Sequence, residues 1–417
     1  MEQCLYSLRA ALKGVEAEVW VVDNASSDDS VGCLQPLFPE VKWILNKQNR
    51  GFGCANNQAL EKARGELVLF LNPDTLVPEN CIATCIDFME KNARAGALGV
   101  NMLDGGGNFL PESKRGYPGL MASFFKVTGL CGLFPKSPLF ARYYLGHLPP
   151  GQNHPVEVLA GAFMLVRKKV LDTTGGFDER FFMYGEDIDL SYRINHAPIG
   201  PEGGYWKTWY LSNAGIIHFK GESTKKGTLN YLVLFYKAMA QFVQKHYGHG
   251  LKAGLFKFFI YAAIGIRALL SGLAGLAGAL FKAIFAVVQS MRRKASAGKG
   301  KHYIDFALLP AWYVAGNARD LEQVSRMVGP NTGEMRLADG QILKPGSPLA
   351  TKIGKGQGKA NFVFCPSEKL SLDEITRAMR PLKNIGYAFH YPGSNSLVAS
   401  NDKDKAGETY SLPCAGT

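Results

Sequence analysis

The eight cysteines of this 417-residue chain include no CxxC pair. Zinc knuckles and small disulfide frameworks need regular cysteine spacing, so neither is indicated, and scattered thiols fit a reducing, cytosolic setting. Cys81 and Cys85 stand four apart, a spacing that puts both on one helix face for packing. Acid is also scarce: 35 Asp and Glu face 47 Lys and Arg, a net charge of +12. That balance favours an anionic partner, whether nucleotide phosphates, an anionic membrane surface or nucleic acid. No aromatic-basic motif accompanies the charge, which argues against nucleic acid. Long apolar runs are missing as well. The most apolar stretch, residues 251–291, has only 14 charge-free residues in a row, between Arg267 and Lys282. A bilayer span needs roughly 20. No apolar targeting run opens the chain, because "MEQCLYSLRAAL" reads as a helix with Leu5, Leu8 and Leu12 on one stripe.

What is present suits a globular protein. Hydrophobic residues make up 47% and charged residues 20%, enough for a sizeable core in two or three domains. From residue 1 to about 110 strands and helices alternate. "EVWVVD" and "VKWILN" read as strands, "NRGFGCANNQALEKARG" as a glycine-bearing loop leading into a helix, and "LVLFLNPDT" as another strand. Alternation of this kind predicts a parallel sheet with helices on its faces. Residues 104–156, rich in Gly and Pro, read as a long loop. "VEVLAGAFMLVRKKVL" returns to strand, then helix. Residues 251–291 predict helices lying in a membrane interface or a hairpin entering one leaflet, the alternative being a buried helical hairpin. Arg292, Arg293, Lys294, Lys299 and Lys301 follow with no acid among them, a cluster suited to anionic head groups on the cytoplasmic side. Residues 302–417 read as a smaller α/β unit, in which "SLDEITRAM" begins with a capping box, Ser371 with Glu374.

Three segments carry candidate chemistry. In "VWVVDNASSDDSV" an apolar strand stops at Asp23 and Asn24, and Ser26, Ser27 and Asp28 are natural caps for a following helix. Ligands of open α/β sheets bind at that position, just past a strand. "LVLFLNPDTLVP" likewise ends in an acid, Asp74. Two strands of one parallel sheet would set both acids along one edge, where they could meet a base, a ribose or a divalent cation. Between them Gly51 and Gly53 allow close backbone approach, and Asn49, Asn56 and Asn57 offer amides. "GGFDERFFMYGEDIDLSYRI" packs Asp178, Glu179, Glu186, Asp187 and Asp189 into twelve residues. Mutual repulsion makes such a cluster unfavourable unless a cation or a general base needs it. Its local structure is ambiguous between strand and helix. In "GIIHFKGESTKKG", His218 can complete a metal shell begun by a carboxylate. The glycine, hydroxyls and lysines after it suit a diphosphate.

Taken in order, "VVDNASSD", "NRGFGCANNQAL", "FLNPDT", "GAFMLVRKKVLDTTGGFDERFFMYGEDIDLSYRI" and "IIHFKGEST" resemble bacterial family 2 glycosyltransferases, in particular the rhamnosyltransferase-like members that build surface polysaccharides. The resemblance covers roughly residues 1–250. It implies a GT-A fold, a Rossmann-like nucleotide-diphospho-sugar transferase domain. The roles it implies are these. Asp23 and Asn24 meet the nucleobase or ribose, and Asn49, Gly51, Phe52 and Asn57 pack on the nucleoside. "NPD" stands where the family has Asp-x-Asp, leaving Asp74 as the acid that meets the diphosphate and holds Mg²⁺ or Mn²⁺, with His218 reaching the same ion. Asp187 is the catalytic base, Glu186 being the second choice, and Ser223 and Thr224 close on the diphosphate. The donor is then a UDP- or dTDP-linked sugar, the acceptor a cell-surface glycan or polyprenyl-linked lipid, and the outcome inversion. Two features depart from the family. Its usual opening strand is missing before the first helix, and Asn72 replaces the first acid of Asp-x-Asp.

The expected organisation is therefore a GT-A domain over 1–250, membrane-associating helices and a basic linker over 251–301, and a small partial Rossmann-like α/β unit over 302–417. The expected setting is the cytoplasmic face of the membrane. Two other functions compete. The missing strand motivates an inactive relic that binds nucleotide or membrane within a polysaccharide assembly complex. A nucleotidyltransferase on a similar fold would need a basic, glycine-rich signature near the amino terminus, which is not there.

Overall fold

The computed structural model describes residues 1–119, 121–122, 125, 130–200, 203–219, 229–248, 254, 311–328, 334–338, 360–368, 370–379, 385–399 and 408–412. Ser223, Thr224 and almost all of the apolar and basic stretch 251–301 therefore lie outside the described residues. Among the described residues no helix is long and apolar enough to cross a membrane.

The first elements alternate as their patterns predict: α1 (Glu2–Ala11), β1 (Trp20–Asp23), α2 (Ser30–Leu34), β2 (Lys42–Leu45), α3 (Phe52–Leu60) and β3 (Leu67–Leu71). The stripe on α1 buries Leu5 and Leu8. The sheet, however, is neither continuous nor all parallel. β1 and β2 form a parallel pair of their own. β3 instead borders a second sheet with β4 (Thr75–Leu76), β5 (Ala95–Leu103), β6 (His154–Val156), β7 (Phe163–Arg167) and β8 (Lys207–His218), in the order β3-β7-β5-β8-β4 with β6 beside β8. There β5 and β8 run parallel, while β3–β7, β5–β7 and β4–β8 are antiparallel. Asp23 and Asp74 thus do not share one parallel edge. A continuous apolar run signals burial, and antiparallel neighbours supply burial as well as parallel ones do. β1 itself is only half-buried along its length.

Helices cover both faces of the larger sheet. α4 (Cys81–Lys91) buries Cys81 and Cys85 against Leu98, Val100 and Phe163. On the opposite face Val170 and Leu171 of α6 (Lys168–Thr174) and Leu190 and Ile194 of α7 (Glu186–His196) pack on Phe70, Met164 and Val166. The ambiguous acidic segment is therefore a helix, which Gly185 admits with φ of 86°. α8 (Leu229–Tyr247) lays Ala238, Met239, Phe242 and Val243 on Ile188 and Phe181. Between β5 and β6 run two short 3-10 turns, Pro111–Ser113 and Arg142–Tyr144, and one turn of helix, α5 (Leu130–Leu133). Among the described residues six cysteines are free and Cys33 is disulfide-bonded, whereas the sequence indicated no disulfide framework.

A second six-stranded sheet follows. Its elements are β9 (Ala311–Ala315), α9 (Ala318–Val328), β10 (Glu334–Ala338), β11 (Ala360–Phe364), α10 (Leu372–Ala378), β12 (Ile385–Phe389), β13 (Ser396–Ala399) and β14 (Glu408–Ser411), in the order β10-β9-β11-β12-β13-β14. The first four are parallel and the last two antiparallel. The Ser371–Glu374 capping box forms at the start of α10. Phe362, Phe364 and Phe389 of this sheet, with Leu372 of α10, bury against Leu76 and Ile217 of the other sheet and against Phe219, which follows β8.

Candidate active site

Asp23 ends β1 in a turn held by its own carboxylate, which accepts the N–H groups of Ala25 (3.1 Å) and Ser26 (3.2 Å). The expected serine caps are not used. α2 starts later, at Ser30, and Asp28 accepts the Ser30 N–H at 3.2 Å. An Asp that satisfies the turn from the strand side leaves Ser26 and Ser27 nothing to cap. Asn24 is tied into the neighbouring loop. Its amide donates to Asn49 Oδ1 (3.3 Å) and Gly51 O (3.1 Å), and its oxygen accepts from Asn46 (3.0 Å) and from the Arg50 N–H (3.3 Å). Asn49 Oδ1 in turn accepts the Gly51 N–H at 2.9 Å. These amides set the shape of the loop.

Gly51 has φ of 86°, and a Cβ there would sit 2.9 Å from the Phe182 carbonyl oxygen. Only glycine lets the loop press so closely on the 177–182 segment. The Phe52 N–H donates to that same carbonyl (3.1 Å), and the Phe52 ring meets Phe177 edge to face at 5.6 Å. Asn57, expected on the nucleoside, is occupied elsewhere. It donates to Phe177 O (2.8 Å) and Glu179 Oε1 (3.1 Å) and accepts the Phe177 N–H (2.9 Å). It clamps α3 to the acidic segment.

Asp74 lies in the turn between β3 and β4. Its backbone oxygen accepts the Phe219 N–H (2.8 Å), and Thr75 is opposite His218 in the β4–β8 ladder. This register brings His218 Nε2 within 3.2 Å of Asp74 Oδ1, with both side chains largely buried. Yet Asp74 Oδ1 and His218 Nδ1 have no hydrogen-bond partner. Buried polar atoms are rarely left so, and a carboxylate facing an imidazole is a donor pair that suits a divalent cation. Among the described residues no group of three or more His, Cys, Asp or Glu could hold a metal. The pair fits an ion that takes its other ligands from phosphate and water, as Mg²⁺ commonly does.

Asp187 and Glu186 open α7 side by side in different surroundings. Asp187 Oδ2 accepts from Arg115 at 2.5 Å and from the Gly161 N–H at 3.3 Å, and Oδ1 accepts the Ile188 N–H at 2.8 Å. The Arg115 and Asp187 side chains are only 10% and 13% exposed, so the ion pair is shielded from water. Glu186 is buried with Oε2 unpartnered. Burial, and then the charge of Asp187, push its carboxyl up to about 8. Arg115 had no place among the sequence candidates. The partners lie 72 positions apart, and no local pattern joins them. The one available hint was a basic residue in a stretch without acids.

These pieces are linked by short steps. Asn24 holds Gly51, and Phe52 comes within 3.8 Å of a Cβ placed on Gly161, as Asp187 does within 3.6 Å. The next residue, Ala162, accepts the Asn72 N–H at 3.0 Å, two positions before Asp74. Phe52 and Asp187 thus meet at Gly161, and the end of β3 before Asp74 meets Ala162.

Residues 1–175 match the family described as Glycosyl transferase family 2. An N-acetylglucosaminyl-diphospho-decaprenol L-rhamnosyltransferase of Mycobacterium tuberculosis is 29% identical over 261 residues, covering 60% of this chain and 81% of that protein. Rhamnosyltransferase WbbL of Escherichia coli is 32% identical over 160 residues, covering 36% of this chain and 56% of its own length. Among solved structures, a mannosyltransferase of Pyrobaculum calidifontis in complex with GDP-Man and Mn²⁺ aligns with a TM-score of 0.39 at 16% identity, covering 67% of this chain and 75% of that one.

Proposed function

We propose that the protein, whose residues 1–175 match the family described as Glycosyl transferase family 2, is an inverting, metal-dependent hexosyltransferase. It moves a sugar, rhamnose being the leading candidate, from a UDP- or dTDP-linked donor to a cell-surface glycan or polyprenyl-linked acceptor. The polyprenyl acceptor is read from the name of the mycobacterial relative. The observation that supports the reading is an acid held by a buried arginine, Asp187, which accepts the Gly161 N–H, together with an unsatisfied Asp74–His218 pair that follows Asn72, whose N–H meets Ala162.

In this reading Asp23, Asn24, Asn49, Gly51 and Phe52 seat the nucleoside. Asp74 and His218 hold Mg²⁺ or Mn²⁺. When bound, that ion neutralises the charge that builds on the departing diphosphate. Ser223 and Thr224, outside the described residues, are assigned to the same diphosphate. Asp187 takes the proton of the acceptor hydroxyl as its oxygen attacks the anomeric carbon from the face opposite the leaving group. One displacement inverts the configuration. Arg115 donates to the Asp187 carboxylate and fixes its rotamer. Glu186, protonated at neutral pH, is the less suitable base.

A donor screen read by product mass tests this, with wild type and Asp187→Asn in parallel. Wild type is expected to turn over with one of the nucleotide sugars. The variant should fall by roughly two to four powers of ten, the usual worth of a general base. Undiminished transfer by Asp187→Asn would remove that residue from the chemistry.

A further inference from the structure

Asp178 and Asp189 stand at the two ends of the segment that carries Phe182 and Asp187, and one side chain of another helix joins them. Lys245 Nζ of α8 lies 2.7 Å from Asp178 Oδ2 and 2.6 Å from Asp189 Oδ1. The segment between the two acids needs holding. Tyr184 has φ of 68° and Gly185 φ of 86°, and a left-handed backbone at a tyrosine persists only where its surroundings determine it. α8 supplies those surroundings twice. Its Ala238 lies against the turn, where a Cβ on Gly185 would come within 3.1 Å of the Ala238 Cβ. Lys245, about two helical turns further along, closes the ends of the segment with its ammonium.

Each acid has further partners. Asp178 accepts from Arg180 (2.6 Å), inside the segment. Asp189, fully buried, accepts from Arg193 (2.8 Å), one turn on in the same helix, and His246 Nε2 of α8 lies 2.7 Å from its Oδ1. Arg193 also donates to the Thr174 (2.5 Å) and Gly176 (2.7 Å) carbonyls ahead of the segment. Among the described residues, though, Lys245 is the one side chain that meets both carboxylates, and a cation between two acids offsets their mutual repulsion. Two parts of the site ride on the stapled segment. The Phe182 carbonyl accepts the Phe52 N–H beneath the Gly51 loop, and Asp187 holds the ion pair with Arg115. We infer that Lys245 is a positioning residue: by joining Asp178 to Asp189 it sets the nucleoside loop at Gly51 and Phe52 against the Asp187 carboxylate. The staple is a matter of geometry alone. Its bearing on transfer rests on the transferase reading.

Lys245→Met removes the charge and Lys245→Arg keeps it, and in both each acid retains another cation. Two measurements on the full chain separate the staple from the reading it serves. Hydrogen exchange needs no substrate. In Lys245→Met residues 179–188 should exchange about tenfold faster than in wild type, the effect of losing hydrogen bonds to a charged group, while β5 and β7 keep their protection. Lys245→Arg should stay near wild type. The second measurement is the transfer rate per binding site, with sites counted by titration of UDP and dTDP in Mn²⁺, so that lost folded protein does not imitate an effect. That rate should fall by about ten- to a hundredfold in Lys245→Met, the scale of displacing a catalytic group by about an ångström, and Lys245→Arg should recover most of it. Should Lys245→Met fail to fold, Asp178→Asn opens the staple at its other end and is read in the same two ways. Unchanged exchange at 179–188 would overturn the staple. Faster exchange with an unchanged rate per site would overturn the positioning role and leave the transferase reading standing. A wild type that binds neither nucleotide and transfers no sugar would overturn that reading, and the positioning role with it, whatever the exchange shows.

Discussion

At the scale of single residues, two adjacent acids are given opposite characters by their neighbours. Asp187 faces a buried guanidinium, and Glu186 faces the core with an oxygen unpaired. The second arrangement has a consequence for stability. The Glu186 carboxyl is pushed from 4.5 to about 8 by burial, then by Asp187. A carboxyl whose folded pKa is raised binds its proton more tightly in the native state. Its stabilising share is complete below about 4.5 and is lost as pH climbs through about 8. Glu186→Gln, which cannot ionise, escapes that loss. Calorimetry of both proteins from pH 5 to pH 9 should therefore show the melting temperature of the variant gaining on wild type toward alkaline pH. Parallel curves would mean that Glu186 is ionised throughout. None of this was legible in "GEDIDL", where both acids looked alike. Charge clustering pointed to the segment, and only three-dimensional neighbours separate the two roles.

At the scale of elements, local signals read well where the cause is local. The end of β1 at Asp23, the glycine loop before α3 and the Ser371–Glu374 box all follow from turn and capping chemistry within a few residues. Strand direction and sheet membership escaped, because they are set by pairing between distant segments: β3 finds β7 nearly a hundred residues on, and among the described residues β1 pairs only with β2. The helical choice for residues 186–196 likewise came from packing, as Leu190 and Ile194 face Val170 and Trp206. Gly51 joins the local and distant kinds. Its positive φ is a local demand, while the Phe182 carbonyl that a Cβ would strike lies across the fold. Gly51→Ala should lower stability by about 1–3 kcal/mol, the range for a strained backbone position. It should also weaken donor binding, because the Asn24 and Asn49 contacts to Gly51 are displaced with it. Urea unfolding and titration with nucleoside diphosphate measure the two effects. Unchanged values in both would show that the loop is not held closely against residues 177–182.

At the scale of the whole molecule, the carboxyl-terminal sheet stands directly behind the Asp74–His218 pair. Leu76 and Phe219 are near neighbours in sequence of those two residues, and both are buried in a shared core with Phe364, Phe389 and Tyr391. Polar contacts reinforce the joint. Glu79 accepts the N–H groups of Leu372 (3.0 Å) and Asp373 (3.2 Å) at the start of α10, where a carboxylate is favoured by the unsatisfied amides of a helix amino terminus. Gln3 on α1 donates to Ser394 Oγ (2.6 Å) and Ser396 O (2.8 Å) and accepts the Tyr391 N–H (2.8 Å). Such a joint ties the two sheets into one cooperative unit and makes the distant sheet a support for the β8 end that carries His218. Phe389 is the test position, because it is fully buried and its ring meets Phe219 at 5.8 Å. Phe389→Ala leaves a cavity beneath Phe219 and should cost about 3–5 kcal/mol, the usual range for removing a buried phenylalanine. Since the Phe219 N–H holds the Asp74 carbonyl, the same cavity should loosen the Asp74–His218 seat and weaken Mn²⁺ binding in the folded variant, measured directly by calorimetric titration. Wild type should unfold in one transition, and the variant in one transition at lower denaturant. Two separate transitions, with the one belonging to residues 1–219 unmoved by the substitution, would show that the carboxyl-terminal sheet rests beside the site without supporting it.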